Sequence, residues 1–102
     1  MVGLTFAWDQ AKNTSNRRKH GVSFEEAETV FVDEDALLLE DPDHSFDEQR
    51  FLLLGVSSAL RLLVVCHCIR ADGDDDLDVI RIISARKANR SERDQYAARL
   101  IP

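Results

Sequence analysis

Apolar positions recur with two different spacings along the chain. Before Asp35, Phe24, Ala27, Val30 and Phe31 fall at helical spacing, which is the period of an amphipathic helix. After Asp35 the apolar positions fall into four nearly unbroken runs, which is typical of buried strands. The pattern therefore predicts helices first and a sheet afterwards.

The N-terminal third predicts a short strand and two helices. Phe6 and Trp8 form a short apolar segment, which we expect to lie against the core where the first helix begins. Asp9 suits the N-cap of a helix over residues 11–19, and Gly21 can end it because glycine readily adopts the left-handed conformation. Ser23 and Glu26 have the spacing of a capping box and predict a second helix of roughly ten residues.

The rest of the chain predicts four strands and a closing helix. The strands cover residues 36–40, 50–57, 60–70 and 77–86. Short polar connections at 57–59 and 71–78 make the neighbouring strands antiparallel. Asn89 and Glu92 predict the start of a terminal helix, with Tyr96, Ala97 and Leu100 on a modest apolar stripe. The fold class is therefore α+β: a short N-terminal strand, two helices, an antiparallel sheet of about four strands and a C-terminal helix.

Length and composition indicate a single domain spanning residues 1–102. The chain is 44% apolar and 31% charged, and no segment approaches the roughly 20 apolar residues that a membrane span requires. The first residues carry no export signal. We expect a soluble, cytoplasmic protein with no membrane contact.

Cys66 and Cys68 are two residues apart in a predicted strand, where their Cα atoms would be about 6.6 Å apart. This spacing is poor for a disulfide, and no partner motif completes a metal site. We expect both to be buried as small hydrophobic residues, with no metal and no cofactor.

The net charge of −6 is unevenly distributed. Residues 1–20 hold four basic side chains against Asp9, and residues 79–102 hold six against Glu92 and Asp94, whereas residues 21–50 hold eleven carboxylates against Arg50. The two basic ends could form one positive face. The acidic middle could bind a basic partner or simply maintain solubility.

Five short motifs follow one another along the chain: WD-x-x-K, KHGVSFEEA, HS-x-x-E, R-LLVV and RIISAR-x-A. Together they extend over about residues 6–96. They resemble the BrnT toxin family. The resemblance implies a RelE-like fold and metal-independent cleavage of RNA. It also implies tight binding by a BrnA-type antitoxin, whose ribbon-helix-helix part binds the operon's promoter DNA, so that the toxin would reach DNA only through the antitoxin.

Metal-free cleavage requires removal of the 2′-OH proton, stabilisation of the phosphorane and protonation of the leaving oxygen. Arginine suits the second task because its fork binds phosphate oxygens. Arg61, Arg81 and Arg86 match the family motifs and are catalytic candidates. The alternative for each is a surface arginine or an ion pair, and strict strand alternation would place Arg81 and Arg86 on opposite faces.

His20 is the main acid or base candidate, because it lies at a glycine-terminated helix end where an imidazole can project. The alternative is a helix C-cap that satisfies free carbonyls. His44, in an acidic loop, and His67, in a strand, are secondary candidates. A structural role is the alternative for both.

Four residues are candidates for RNA binding: Lys12, Lys19, Arg50 and Tyr96. Tyr96 could stack on a base or pack inside, and Glu48 could act as a base or pair with Arg50. We expect Lys12, Lys19 and His20 to share a face with at least two of the three arginines. The sequence thus predicts a ribonuclease toxin, and the alternative is a catalytically weak module that binds its antitoxin in autoregulation of the operon.

Overall fold

The protein, examined as a computed structural model, is described over residues 4–40, 50–72 and 77–101. Its elements in chain order are β1 Thr5–Ala7, α1 Gln10–His20, α2 Phe24–Glu28, a 3₁₀ helix Thr29–Val32, β2 Leu37–Glu40, β3 Phe51–Val56, β4 Leu62–Asp72, β5 Leu77–Lys87 and α3 Arg90–Leu100. The predicted order and the α+β class are confirmed. The second helix is shorter than predicted, because α2 continues into the 3₁₀ helix.

One five-stranded sheet has the order β1-β5-β4-β3-β2. The pairs among β2, β3, β4 and β5 are antiparallel, as predicted. β1 differs, since it pairs with β5 in parallel through Thr5 to Ala7, so the sheet is mixed. No hairpin turn joins β1 to β5, because all the other strands and both N-terminal helices lie between them in the chain, and their relative direction is therefore not set by a local turn.

The two faces of the sheet carry separate hydrophobic clusters. The first cluster packs against α2, and we call that side the α2 face; it comprises Val22, Phe24, Ala27, Val30, Leu53, Leu63, Val65, Ile82 and Ala85. The second packs against the C-terminal helix, and we call that side the α3 face; it comprises Leu54, Val64, Ala88 and Tyr96. Cys66 and Cys68 are both buried, as predicted.

The start of the chain is held by aromatic contacts on the α2 face. The Phe6 ring meets Phe31 edge-on at 5.1 Å between centroids, and Trp8 meets Phe24 edge-on at 6.0 Å. Such edge-to-face geometry is favourable beyond the area that it buries. The prediction that these aromatic side chains lie against the core is confirmed.

The C-terminal helix begins with the predicted capping box, in which the Asn89 side chain accepts from Glu92 N and the Glu92 carboxylate accepts from Asn89 N. The predicted apolar stripe is wrong, because Ala97 and Leu100 are exposed. Tyr96 alone among the three is buried, at 8% exposure. A mostly polar helix thus attaches to the sheet largely through one aromatic side chain.

The hydroxyl of Tyr96 donates to Asp33 Oδ2 at 2.6 Å, and Val56 N–H donates to the same oxygen at 2.8 Å. Burial alone would raise the pKa of Asp33, but these bonds and one from Asp35 N–H outweigh it and lower the pKa. Burial, followed by the bond to Asp33, raises the pKa of Tyr96 to about 12. The bond therefore ties the C-terminal helix to the segment between the 3₁₀ helix and β2.

This bond predicts a distinct alkaline titration, which phenolate absorbance can follow because Tyr96 is the only tyrosine of the sequence. The folded protein should titrate near pH 12, whereas the urea-unfolded chain should titrate near about pH 10. Because the folded pKa is raised, the bond stabilises fully below about pH 10 and its contribution is lost as the pH rises towards 12. A Tyr96→Phe control should lack this signal, and a folded-state midpoint near 10 would contradict the buried bond.

None of the helices in the described ranges has both the length and the apolar character needed to span a bilayer.

Candidate functional site

Helix α1 has well-defined ends. Asp9 Oδ1 accepts from Ala11 N at 2.8 Å and from Lys12 N at 3.3 Å, and Gly21 closes the helix in the left-handed conformation with its N–H on Arg17 O. The helix carries five basic residues and no acidic one; they are Lys12, Arg17, Arg18, Lys19 and His20. Because residues four apart share a helix face, Lys12 and His20 lie on the same side of α1.

That side of α1 lies against the second half of β5. Asn16, buried between them, accepts from Ala85 N at 3.1 Å and donates to Ala85 O at 2.8 Å. The same amide nitrogen donates to Val22 O at 2.8 Å. One side chain therefore fixes the helix to the strand and to the segment that follows the helix.

A depression of about 200 Å³ lies where α1 meets β5. It is lined by Lys12, Ser15, Asn16, Lys19, His20, Ile83 and Ser84. Both lysines are exposed and the histidine is half-buried. Two cations beside an imidazole can bind phosphate oxygens and transfer protons within the same space.

Two carbonyls at the end of α1 accept hydrogen bonds from groups other than the His20 ring. Gly21 N–H donates to Arg17 O at 2.9 Å, and Arg61 Nη2 donates to Gly21 O at 3.1 Å. Within the part of the chain that the structure describes, the His20 imidazole makes no hydrogen bond. This arrangement disfavours the helix C-cap alternative and leaves the ring available in the depression.

Arg61, immediately before β4, forms an ion pair with Glu26 of α2. Its Nε donates to Glu26 Oε2 at 2.9 Å and its Nη2 to Glu26 Oε1, while Ser57 Oγ donates to Glu26 Oε2 at 2.6 Å. The hydrogen bond from Arg61 is the main cause of a lowered pKa for Glu26, and the same contact raises the pKa of Arg61. This arginine is thus bound by a carboxylate on the α2 face.

Arg86 is bound in the same way on the α3 face. Its Nη1 and Nη2 donate to the two carboxylate oxygens of Glu92 at 2.7 and 2.8 Å. This contact lowers the pKa of Glu92 and raises the pKa of Arg86. Glu92 therefore serves both the capping box of α3 and this ion pair.

A bulge in β5 determines which way Arg81 points. The register of β5 on β4 shifts between Cys66 and His67, which leaves Ile83 without a paired residue. Arg81 pairs with Cys68 and Arg86 with Val64, and residues four apart in β4 share a face. Arg81 and Arg86 consequently lie on the same sheet face, contrary to strict alternation.

Comparison with known proteins identifies the family. The sequence matches the family described as ribonuclease toxin, BrnT, of type II toxin-antitoxin system over residues 8–92. The chain belongs to the BrnT family. It is a ribonuclease toxin of a type II toxin-antitoxin system, and such a toxin has a cognate antitoxin. The family assignment based on the sequence motifs is confirmed.

The fold of this BrnT-family chain is also found in a solved structure. It is similar to the crystal structure of the Brucella abortus ribonuclease toxin BrnT, with a TM-score of 0.59 and 21% identity over 86% of this chain and all of that one. At this identity the likeness supports the fold alone. No curated protein matches the chain.

The depression of this BrnT-family toxin brings together only part of the predicted basic set. Of the residues predicted for one positive face, Lys12, Lys19 and His20 line it, next to Ser84, which lies between Arg81 and Arg86 along β5. None of the three arginines lines it. Arg61 lies on the opposite sheet face from Arg86. Each is bound by a carboxylate, so the ion-pair alternative is the arrangement observed for both.

Two other predicted residues have structural placements. Tyr96 is buried with its hydroxyl bound to Asp33, which corrects the expectation that it contacts RNA. His67 is buried, and its ring meets Phe31 edge-on with 4.9 Å between the ring centroids. Its Nδ1 lies 3.2 Å from Val65 O, and burial lowers the pKa of the imidazole. The structural alternative therefore applies to both.

The remaining candidates lie at the edge of the described ranges or outside them. Arg50 is half-buried, and its Nε has no hydrogen-bond partner among the residues that the structure describes. His44 and Glu48 lie outside the described residues. Their predicted roles stay predictions. Across residues 4–40, 50–72 and 77–101, no three His, Cys, Asp or Glu side chains are grouped so that they could hold a metal ion.

Two residues that shape the site of this BrnT-family toxin, Glu26 and Asn16, are not among the candidates that the sequence predicts. The spacing of Ser23 and Glu26 predicts a capping box, and Ser23 Oγ does accept from Glu26 N. The Glu26 carboxylate binds Arg61 and Ser57. The sequence predicts Asn16 only as part of a polar helix. The burial of Asn16 could have been predicted from its spacing of three residues from Asn13. This spacing places two amides on one side of a helix that has almost no apolar side chain to bury.

Proposed function

We propose that this BrnT-family toxin cleaves RNA without a bound metal, in the depression between α1 and β5. The observation that carries the proposal is the position of the His20 imidazole, which has no hydrogen bond within the described residues and shares one depression with Lys12 and Lys19. Ribonuclease activity comes from the family; the site and the metal independence are the proposed parts.

The side chains of the depression match the steps of the reaction. The 2′-oxygen of the RNA attacks the neighbouring phosphorus, the bond from phosphorus to the 5′-oxygen breaks, and a cyclic phosphate and a 5′-hydroxyl are formed. The His20 imidazole takes the proton from the 2′-OH, and the resulting imidazolium gives a proton to the 5′-oxygen, since an imidazole ring can both accept and donate a proton.

The lysines act where negative charge develops. Lys12 and Lys19 are exposed at the rim of the depression, where their ammonium groups can bind phosphate oxygens and stabilise the phosphorane. Arg81 lies on β5 ahead of the bulge and can contact the RNA backbone beyond the cleaved bond. Arg61 and Arg86, held by Glu26 and Glu92, support the fold around the site.

We further propose that a BrnA-type ribbon-helix-helix antitoxin neutralises the toxin by covering this depression. A segment with acidic side chains would match Lys12 and Lys19, and basic groups of the antitoxin would match the acidic residues 21–50. Promoter DNA would be bound by the antitoxin alone. Because exposed charges are screened over about 10 Å at 0.1 M ionic strength, salt should weaken the complex unless apolar burial dominates.

One observation favours a second candidate function. Arg61 and Arg86 are both held by carboxylates, which would leave a catalytically weak module that engages the antitoxin and adjusts repression of the operon. Such a module would be harmless when expressed without its partner.

Expression of the chain alone, compared with expression beside the antitoxin gene, tests the proposal. We expect growth arrest and degraded RNA only without the antitoxin, and the purified chain should cleave RNA equally well in excess EDTA. Cleavage that EDTA abolishes would contradict metal independence. Normal growth with intact RNA and ample folded protein would favour the binding module.

A further inference from the structure

Asn16 is a buried polar residue whose side-chain amide bonds to backbone groups that surround the site. It is 7% exposed, and its amide makes three hydrogen bonds of 2.8 to 3.1 Å: two to the backbone of Ala85 and one to Val22 O. Burying an amide is costly unless its groups are paired, so these bonds hold the side chain in one place.

The bonds to Ala85 replace a missing strand. β1 pairs with β5 only as far as Arg81, so the outer edge of β5 after that residue has no strand beside it. A strand residue bonds its neighbour through both its N–H and its C=O, and the Asn16 amide makes this pair of bonds with Ala85. The helix is thereby fixed to the strand edge through one side-chain amide.

The third bond, from the Asn16 amide to Val22 O, restrains the chain that follows His20. Val22 follows the glycine that ends α1, so its carbonyl bond to Asn16 holds the chain on the far side of the helix end. His20 lies one helical turn after Asn16 and two residues before Val22. Its backbone is consequently restrained on both sides relative to β5.

We propose that Asn16 is a positioning residue for RNA cleavage, which holds His20 in the depression that Ile83 and Ser84 also line. This inference rests on the proposed function, because it acts through His20. A catalytic group that moves by about 1 Å can lose roughly 10²-fold in rate, so a residue whose amide bonds only to the surrounding backbone can control the chemical step.

The Asn16→Ala variant should therefore lose rate more than affinity. We expect kcat per folded molecule to fall by at least about tenfold. KM should change less than about threefold, because the exposed lysines that bind phosphate remain. The folded fraction is measured by circular dichroism on the same samples.

Asn13→Ala is the matched control. Asn13 is also buried, at 1% exposure, on the same helix, and it bonds Phe24 N at 2.9 Å and Glu25 Oε1 at 2.8 Å, which join α1 to α2 and not to β5. It should lose stability as Asn16→Ala does, yet keep kcat per folded molecule within about threefold. An equal fall in kcat for the two variants would mean general helix support and would overturn the positioning role.

The double variant His20→Ala with Asn16→Ala separates this inference from the proposed site. If Asn16 acts through His20, adding Asn16→Ala to His20→Ala should lower kcat by less than about twofold further. Multiplied losses would overturn the positioning role and leave the His20 site intact. Full activity of His20→Ala alone would overturn the proposed site, and the positioning role with it.

Discussion

RNA cleavage by a His20→Ala variant is expected to be slower by about 10²-fold or more, because a placed proton-transfer group usually contributes 10² to 10⁴ in rate. The ring makes no hydrogen bond within the described residues, so its loss should cost little stability. Initial rates with a labelled RNA, corrected for folded protein, measure the effect. Growth arrest on expression should be lost in parallel.

Arg18→Ala is the control for this experiment. Arg18 is exposed on the same helix but lines a different depression, together with Thr14 and Arg17. The substitution removes one positive charge from α1 and leaves the residues of the site unchanged. The cleavage rate of the variant should therefore stay within about threefold of the wild type. Comparable losses in the two variants would mean that the overall charge of α1, and not the imidazole, sustains cleavage.

Arg61→Ala is expected to destabilise the fold by about 2 kcal/mol, because the Glu26 carboxylate would lose a charge-assisted partner at a site where it is only 15% exposed. This is more than an exposed arginine contributes. The contact lowers the pKa of Glu26, so its stabilisation is present above about pH 4.5 and is lost as the pH falls further. Urea unfolding at pH 7 and at pH 3 should therefore show a difference from wild type that shrinks in acid.

Arg81→Ala serves as the comparison, since Arg81 has no ion pair among the described residues. Its free energy of unfolding should stay within about 0.5 kcal/mol of the wild type at both pH values. The account would be contradicted if Arg61→Ala unfolded like the wild type but had lost RNA cleavage. In that case Arg61 would act on the substrate, as the sequence motif first indicated.

The elements of this fold could be predicted from local chemistry. Asp9, Ser23 and Asn89 cap the starts of the three helices, and Gly21 ends α1 with a positive φ, as their residue types indicate. The four apolar runs after Asp35 became four strands, because turn-forming and charged residues separate them. These signals lie within a few residues of one another, so a single sequence is sufficient to read them.

The arrangement between elements could not be read in the same way. The parallel pairing of β1, the unpaired Ile83 and the choice of Glu26 as the partner of Arg61 all depend on contacts between distant parts of the chain. The bulge illustrates the difficulty. One extra residue reverses the alternation that would have separated Arg81 from Arg86.

The same limit applies to the candidate site. The residue types predicted Lys12, Lys19 and His20, and the helix period predicts that they lie on one side of α1. Their place beside β5 depends on Asn16, whose partner Ala85 is 69 residues away. For Tyr96 the residue type is ambiguous, because a tyrosine suits stacking on RNA as well as packing in the core. Only its burial in the structure distinguishes the two roles.

The central claim is that RNA binds and reacts in the depression between α1 and β5. It is tested most directly by mapping backbone amide signals with an RNA whose reactive 2′-OH is replaced by hydrogen, since this RNA can bind but cannot be cleaved. The account predicts that the largest changes occur from Lys12 to His20 and at Ile83 and Ser84. Changes confined to other surfaces, such as the β3–β4 hairpin, would contradict it.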